Sequence, residues 1–266
     1  MAELTVPHRA GVSTPENFLP IWAPPGSQRL RVAVGCASGS ANGKLNEDFY
    51  GVAQPPGCVE QGIVLGVADG ISANGSGRIA AEAAIRTLLQ DYYATPSAWS
   101  TSVALDRLLT SVNDWLDAEN RRRPGSGGAV AVLSVMVLRG NHYYLAHVGD
   151  TRVYRLRGSV LKQLTTDHTW PRRDLRHVPR RAIGLDSHLV ADFADGELRP
   201  GDTFLLVSDG VWDVLGDGQL HAALRESRSP AAAAACLVDQ ALAQQATYMG
   251  RNDATALVAA IEPASP

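Results

Sequence analysis

The chain has 266 residues, of which 45% are hydrophobic, 6% aromatic and 19% charged, the composition of a globular protein with a sizeable core. Its 24 Lys and Arg against 27 Asp and Glu give a formal net charge of −3, so no overall field draws it towards nucleic acid or a membrane surface. No apolar run in the sequence approaches the ~18 residues of a membrane span.

The N-terminal sequence and the cysteines bear on compartment and boundaries. "MAELTVPHRAGVSTPENF" carries acids and prolines where a secretory signal has an apolar stretch, so we expect a cytoplasmic protein. Cys36, Cys58 and Cys236 are too scattered for a disulfide framework or a zinc site, which predicts free thiols. Recurrent prolines predict an irregular arm over residues 1–27, followed by one domain over 28–262 and a tail or linker at 263–266.

The first half of the domain predicts two strands and then two helices. Residues 29–38 alternate apolar and polar side chains, and residues 62–70 form a near-continuous apolar run, so both segments predict strands. Within residues 76–96, and again from about Ser100 to Arg121, apolar residues recur at helical spacing opposite charged ones. Both patterns are typical of amphipathic helices with one buried face.

The second half is richer in strands. Residues 128–164 contain two apolar runs around a Gly-Asn turn and a third strand that ends at Arg157, which predicts a meander of antiparallel strands. A buried strand at 201–210, an Ala-rich helix at 229–246 and a strand at 251–263 follow. The grouping predicts an α+β fold, a β-sandwich flanked by helices, rather than a βαβ sheet.

Carboxylates recur at the strand ends. The five residues are Asp48, Asp69, Asp150, Asp209 and Asp253. Each alone predicts no more than a turn, because Asp-Gly after a strand is a common hairpin signal. Together they indicate a shared rim, where converging carboxylates need cations and where oxygen ligands favour Mg²⁺ or Mn²⁺. The pattern therefore favours a two-metal site.

Six segments carry a family resemblance. They are "NED" at 46–48, "VADG" at 67–70, "HVGDTRVYRL" at 147–156, "QLTTDHT" at 163–169, "LLVSDGVWD" at 205–213 and "NDATALV" at 252–258. In this order they resemble the metal-dependent serine/threonine phosphatases of the protein phosphatase 2C family, over about residues 29–262. "ADGIS", "DYYATPSAWS" and "VNDWL" are most similar to the bacterial branch in which the phosphatase domain is fused to a kinase. The resemblance implies a central β-sandwich of two antiparallel sheets with α-helices on both outer faces.

The resemblance also implies roles for the acids. Asp69 resembles the carboxylate that bridges two metals, and the Gly70 carbonyl would bind one of them. Asp209 and Asp253 would bind the other, and Asp48 would hold metal-bound water. Asp48 and Asp69 would thus act in catalysis through that water.

The implied reaction is hydrolysis of phosphoserine or phosphothreonine in proteins, opposing a bacterial Ser/Thr kinase. Asp150 resembles the acid of a third, weaker metal site. Two Mg²⁺ or Mn²⁺ ions would orient the phosphate and make a bound water acidic enough to attack, so no Ser or Cys nucleophile is needed. Phosphorylated proteins and a Ser/Thr kinase are the expected partners.

Two positions depart from the family pattern. Gly43, with Lys44 beside it, stands where active relatives often carry a phosphate-binding Arg, so weaker phosphate orientation is expected. Asn74 stands where relatives commonly have a His that protonates the leaving oxygen. These departures leave open an alternative, a catalytically weak phosphatase-like module that binds phosphoproteins or regulates a kinase. A purely structural cation site is a third option.

The segment 169–188 matches the variable flap of the family. Its arginines are Arg172, Arg173, Arg176, Arg180 and Arg181. They are either the charges of a solvated loop or a guide for phosphopeptides, with Lys44, Arg180 and Arg181 as candidate substrate-binding residues. His147 is expected to be a hydrogen-bonded core residue, and His168 is a candidate for the proton that Asn74 cannot supply.

Overall fold

The computed structural model describes residues 18–23, 29–40, 45–72, 75–122, 128–170, 178–247 and 252–264. In these ranges two antiparallel sheets stack face to face, and helices cover both outer faces. The prediction of an α+β sandwich flanked by helices is confirmed. None of the helices in the described ranges is both long and apolar enough to cross a membrane.

The two sheets have six and five strands in the described ranges. In spatial order the larger sheet comprises β1 Phe18–Ile21, β2 Leu30–Ser40, β11 Asp253–Pro263, β10 Thr203–Val207, β7 Arg152–Arg157 and β8 Val160–Gln163. The smaller sheet comprises β3 Phe49–Ala53, β4 Ile63–Ser72, β5 Ala129–Arg139, β6 His142–Val148 and β9 Asp192–Glu197. The helices are α1 Gly77–Asp91, α2 Thr101–Arg122, α3 Asp209–Trp212, α4 Asp217–Glu226 and α5 Pro230–Gln245.

Central strands are apolar on both faces because each sheet is covered twice. In β10, Phe204 and Leu206 point between the sheets, whereas Leu205 and Val207 pack under α4 and α5. The smaller sheet is covered in the same way by α1 and α2. This double burial explains why these strands are continuous apolar runs in the sequence.

The predicted meander over 128–164 is wrong in its pairing. β5 and β6 form a hairpin in the smaller sheet, but β7 pairs with β8 and β10 in the larger one. The chain changes sheet at Gly149, whose φ is 101° and whose Cβ, if present, would lie 2.2 Å from the Val132 side chain. The sequence shows that three strands follow one another, but apolar runs do not identify their partners.

One described segment of the predicted N-terminal arm is regular, contrary to what its prolines predict. Phe18–Ile21 forms β1, an edge strand that pairs antiparallel with β2. Pro20 is compatible with this position because an edge strand has no neighbour on one side to which its backbone must donate. The prediction of an irregular arm is wrong for these four residues. The predicted free thiols are confirmed for Cys36, Cys58 and Cys236.

Candidate functional site

Five carboxylates meet at one edge of the sandwich, which we call the acidic rim. Its members are Asp48, Asp69, Asp150, Asp209 and Asp253. Antiparallel pairing explains the convergence, because Phe49 at the start of β3 faces Ala68 near the end of β4. The sheet change between β6 and β7 brings Asp150 to the same edge. The structure therefore groups the acids that the sequence singles out.

Asp69 occupies the electrostatic centre of the acidic rim. Burial raises the pKa of Asp69 well above its ordinary value, and the charges of the other four rim carboxylates raise it further. Asp69 in turn lies close enough to Asp48 and to Asp209 to affect the pKa of each. It is thus the member of the rim that is placed between two others.

The remaining buried acids are costly in their ionised forms. Burial raises the pKa of Asp48 and of Asp209, and charge repulsion within the cluster adds to the rise for each. Burial and the neighbouring Asp209 raise the pKa of Asp150 to about 7. Neighbouring carboxylates repel one another when all are ionised, and a bound cation removes this repulsion.

Unpartnered oxygens test whether a cation fits the acidic rim. Asp48 is 2% exposed and Asp209 is 8% exposed, yet among the described residues Oδ1 of each has no hydrogen-bond partner. A buried carboxylate oxygen without a donor is unfavourable, and a hard cation would satisfy it. The residues therefore fit divalent ions. Within the described ranges, no group of three or more His, Cys, Asp or Glu side chains is already arranged to bind a metal ion.

Polar residues that the sequence did not single out hold Asp48. Ser208 donates from Oγ to Oδ2 of Asp48 at 2.6 Å, and its oxygen accepts from the Thr255 backbone N–H at 3.0 Å. The Asp48 backbone N–H donates to Asn46 Oδ1 at 2.9 Å, which makes a local turn. Ser208 precedes Asp209 in "VSDG", and only the fold shows that it faces a residue so distant in sequence.

A second set of contacts surrounds Asp209. The Asn252 side chain donates from Nδ2 to Oδ2 of Asp209 at 2.8 Å. The buried Gln245 of α5 donates to the Gly210 carbonyl at 2.7 Å and accepts from the Asn252 backbone N–H at 2.8 Å. Asp253 Oδ2 instead accepts from the Glu47 backbone N–H at 2.7 Å.

Two glycines bring the start of α1 against the end of β4. A Cβ on Gly70 would lie 2.1 Å from the Gly77 carbonyl oxygen, and one on Gly77 would lie 2.5 Å from Glu47 Oε1. The backbones therefore touch with no room for a side chain. This contact fixes the position of the Gly70 peptide beside Asp69.

The Asp150 side of the acidic rim rests on a stacked group. Trp212 of α3 donates from Nε1 to the Asp150 carbonyl at 2.8 Å, and the Arg152 guanidinium lies 3.5 Å from the centre of its ring. Arg152 in turn forms an ion pair with Asp167, with its closest contact at 2.7 Å. These residues fix the backbone from which the Asp150 carboxylate projects.

The two histidines differ in role. His147 is 1% exposed and bonds the Ser134 hydroxyl at 3.0 Å, so the prediction of a hydrogen-bonded core residue is confirmed. His168 is also buried, and its Nδ1 accepts from the Gly149 backbone N–H at 3.1 Å. Its Nε2 lies 3.1 Å from Asp192. Both ring nitrogens are thus engaged, and His168 anchors the turn before Asp150.

The predicted substrate-binding residues are only partly described. Arg180 is exposed, and its guanidinium lies 5.4 Å from the centre of the Trp170 ring. Arg181 is paired with Asp192 at 2.9 Å, which neutralises part of its charge. The other residues invoked by the sequence lie outside the described residues, namely Gly43, Lys44, Asn74, Arg172, Arg173 and Arg176.

Comparison with known proteins gives one consistent result. The protein phosphatase 2C family model matches residues 37–245. The serine/threonine phosphatase stp of Listeria monocytogenes serotype 4b is 27% identical over 232 residues, which cover 80% of this chain and 89% of that protein. PppA, described as a key regulatory component of the T6SS in Pseudomonas aeruginosa, is 29% identical with a TM-score of 0.73, over 86% of this chain and 97% of that chain.

A further solved structure contains metal. It is the catalytic domain of the serine/threonine protein phosphatase PstP in complex with two manganese ions, and it is 25% identical. Its TM-score is 0.72 over 88% of this chain and 99% of that chain. The family model matches well over half of the residues, as the six ordered motifs predict. The chain therefore belongs to the protein phosphatase 2C family of serine/threonine phosphatases, among its bacterial members.

Proposed function

We propose that the acidic rim is the active site of a phosphatase that hydrolyses phosphoserine and phosphothreonine in proteins, opposing a bacterial Ser/Thr kinase. The observation that carries the proposal is the pair of unpartnered Oδ1 atoms on the buried Asp48 and Asp209, on either side of Asp69. Asp69, the Gly70 carbonyl and Asp209 would hold two Mg²⁺ or Mn²⁺ ions. Asp253 lies at the same edge, and Asp150 would support a third, weaker site.

When bound, the cations supply the positive charge that orients a phosphate dianion and lowers the pKa of water. The protein contributes fixed acceptors: Ser208 holds Oδ2 of Asp48, and Oδ1 has no partner among the described residues and would be available to a cation. Cys36 is not a candidate nucleophile in place of water, because burial raises the pKa of its thiol to about 12.

A substrate role for the flap rests on Arg180. Its exposed guanidinium is positioned over Trp170, whereas Arg181 is already paired with Asp192. We expect Arg180→Ala to raise the KM for a phosphothreonine peptide more than the KM for p-nitrophenyl phosphate. Arg107→Ala, exposed on α2, is the matched control. An equal rise of KM for both substrates would leave Arg180 without a role in peptide recognition.

One assay tests the proposed function. Hydrolysis of p-nitrophenyl phosphate and of a phosphothreonine peptide is measured with Mn²⁺, with EDTA and with Asp209→Asn. Turnover that needs both the metal and Asp209 supports the phosphatase, and Asp106→Asn, exposed on α2, serves as control. Mn²⁺ binding without turnover would favour the alternative, a module that binds phosphoproteins or regulates a partner kinase.

A further inference from the structure

The side chain that faces Asp209 from the start of β11 is an amide. Asn252 Nδ2 lies 2.8 Å from Asp209 Oδ2, and the Asn252 side chain is exposed at the mouth of the acidic rim. Asp209 is 8% exposed, and in the described part of the chain its Oδ1 has no partner. The buried Asp209 carboxylate, which has one unpartnered oxygen in the described part of the chain, therefore lies side by side with the exposed Asn252 amide.

Gln245 connects the two segments that carry Asp209 and Asn252. Its amide joins the Gly210 carbonyl to the Asn252 backbone N–H, at 2.7 and 2.8 Å, and the Gln245 residue is only 2% exposed. The two segments also touch directly, because a Cβ on Gly210 would lie 2.0 Å from the Asp253 carbonyl oxygen. Asn252 is thus tied to the Asp209 segment by main-chain and side-chain contacts together.

Asp253 is directed to the other side of the acidic rim. Its Oδ2 accepts from the Glu47 backbone N–H at 2.7 Å, and its charge contributes to the raised pKa of Asp48. Alternate residues of a strand share a face, so Asp253 lies on the side of Thr255, which bonds Ser38 at 2.7 Å. This side faces the start of β3.

We propose that Asn252, rather than Asp253, shares a cation with Asp209, and that it binds through its amide oxygen. This inference rests on the proposed function, because it presupposes a cation at Asp209. An Asn amide offers a donor and an acceptor at its tip, so a half turn of the amide replaces the N–H that faces a bare carboxylate with an oxygen that faces a cation. Amide oxygens are accepted ligands of hard cations.

The assignment changes the expected charge of the site. A neutral ligand in place of a carboxylate leaves the cation at Asp209 with one negative neighbour fewer, so that position binds more weakly than an all-carboxylate site. Asp253 becomes a positioning residue that fixes the Glu47 backbone. It follows that a carboxylate at position 252 would strengthen metal binding, whereas an amide at 253 would still accept from Glu47.

The test exchanges the two neighbours. Metal-free full chain is titrated with Mn²⁺, and bound Mn²⁺ is measured by calorimetry and by the electron paramagnetic resonance signal of the free ion. We expect Asn252→Asp to bind Mn²⁺ about tenfold more tightly. The double variant N252D/D253N keeps the composition and the net charge and should also bind more tightly. Asp253→Asn removes one negative charge from the acidic rim, so it should bind Mn²⁺ more weakly, but by a smaller factor than Asn252→Asp gains.

Each outcome decides between the two assignments. Weaker Mn²⁺ binding in both Asp253→Asn and the double variant would overturn the inference and return the role to Asp253, and so would an unchanged affinity of Asn252→Asp. Thermal unfolding in EDTA checks that each variant folds. If Asn252→Asp does not fold in EDTA, the charge-neutral double variant decides. Asp69→Asn separates a failure of the proposed function from a failure of this inference. Undiminished Mn²⁺ binding in that variant would refute the two-cation site itself. Lost binding leaves only the choice between Asn252 and Asp253 as the ligand.

Discussion

The Ser208 hydroxyl donates a 2.6 Å hydrogen bond to Oδ2 of Asp48 and so joins two residues that stand 160 positions apart in the sequence. Ser208 is fully buried and also accepts from the Thr255 backbone N–H. One hydroxyl therefore links the start of β3, the end of β10 and the start of β11. It engages only Oδ2 of Asp48, and among the described residues Oδ1 has no hydrogen-bond partner.

We predict that Ser208→Ala weakens both folding and metal binding. It leaves a buried carboxylate oxygen and a buried backbone N–H unpaired, which costs about 1–3 kcal/mol of unfolding free energy. Loss of such a supporting hydrogen bond lowers metal affinity by about 10–100-fold. Urea denaturation in EDTA and Mn²⁺ titration measure the two effects. Ser187→Ala, at an exposed position, should change neither. Unchanged Mn²⁺ affinity in Ser208→Ala would show that Asp48 is held by other groups.

Gln245→Met tests the link between α5 and the segments that carry Asp209 and Asn252. The substitution keeps the length of the side chain but leaves the Gly210 carbonyl and the Asn252 N–H without their partner. We expect a loss of about 2 kcal/mol or more in unfolding free energy, from two buried groups left unsatisfied. Gln240→Met, exposed on the same helix, is the control. Equal urea midpoints for the two variants would contradict the prediction.

Gly70→Ala tests the contact between β4 and α1. The added methyl group would meet the Gly77 carbonyl oxygen at 2.1 Å, and the backbone must separate to admit it. We predict a loss at the upper end of the about 1–3 kcal/mol typical of overpacking, together with weaker Mn²⁺ binding. Gly218→Ala, with no atom within 4 Å of the new Cβ, lies in α4, so it should lower neither the unfolding free energy nor the Mn²⁺ affinity. Normal Mn²⁺ affinity in a folded Gly70→Ala chain would argue against a role for this peptide at the site.

The sequence predicts the kind and order of the principal elements well, because burial on one or both faces leaves a periodic pattern. Several elements are nevertheless missed. The sequence patterns predict none of β3, β8 and α4, and there is no pattern to detect in β9, which is exposed over most of its length, or in α3, which is only one turn long. Prediction also fails at the sheet change, since the composition of β6 and β7 does not show which strands they pair with. Gly149 is the local signal, because its φ of 101° permits the abrupt change of direction.

The acidic rim was predictable residue by residue, whereas its supporting contacts were not. An acid at a strand end stands out against apolar neighbours, and each of the five predicted carboxylates reaches the rim. In the sequence, Ser208, Gln245 and Asn252 look like ordinary turn or helix residues, because the groups that they contact are distant in sequence. In addition, Ser208 and Asn252 each precede an acid that is the more obvious candidate. Local patterns locate charge, but the direction of a side chain depends on the tertiary fold.

His147 gives the fold a defined response to acid. Burial lowers its pKa to about 4, and the neighbouring His168 adds to this effect. The imidazole is therefore held neutral, with hydrogen bonds to Ser134 and to the Thr166 carbonyl. In the unfolded chain the same group titrates near ~6.5. The stability that it contributes is complete above that pH and is lost as the pH falls towards 4, because protons then bind preferentially to the unfolded state.

We predict that His147 accounts for a loss on the order of 2 kcal/mol in unfolding free energy between pH 7 and pH 4.5. The buried rim carboxylates have raised pKa values and change stability in the opposite direction, so the total pH dependence of the chain does not isolate this contribution. The difference between the unchanged chain and His147→Gln does, because the glutamine stays neutral throughout. Urea unfolding in EDTA at the two pH values provides the measurement, with His188→Gln as the exposed control. If His147→Gln loses as much stability on acidification as the unchanged chain, the buried imidazole is not the group that responds to acid.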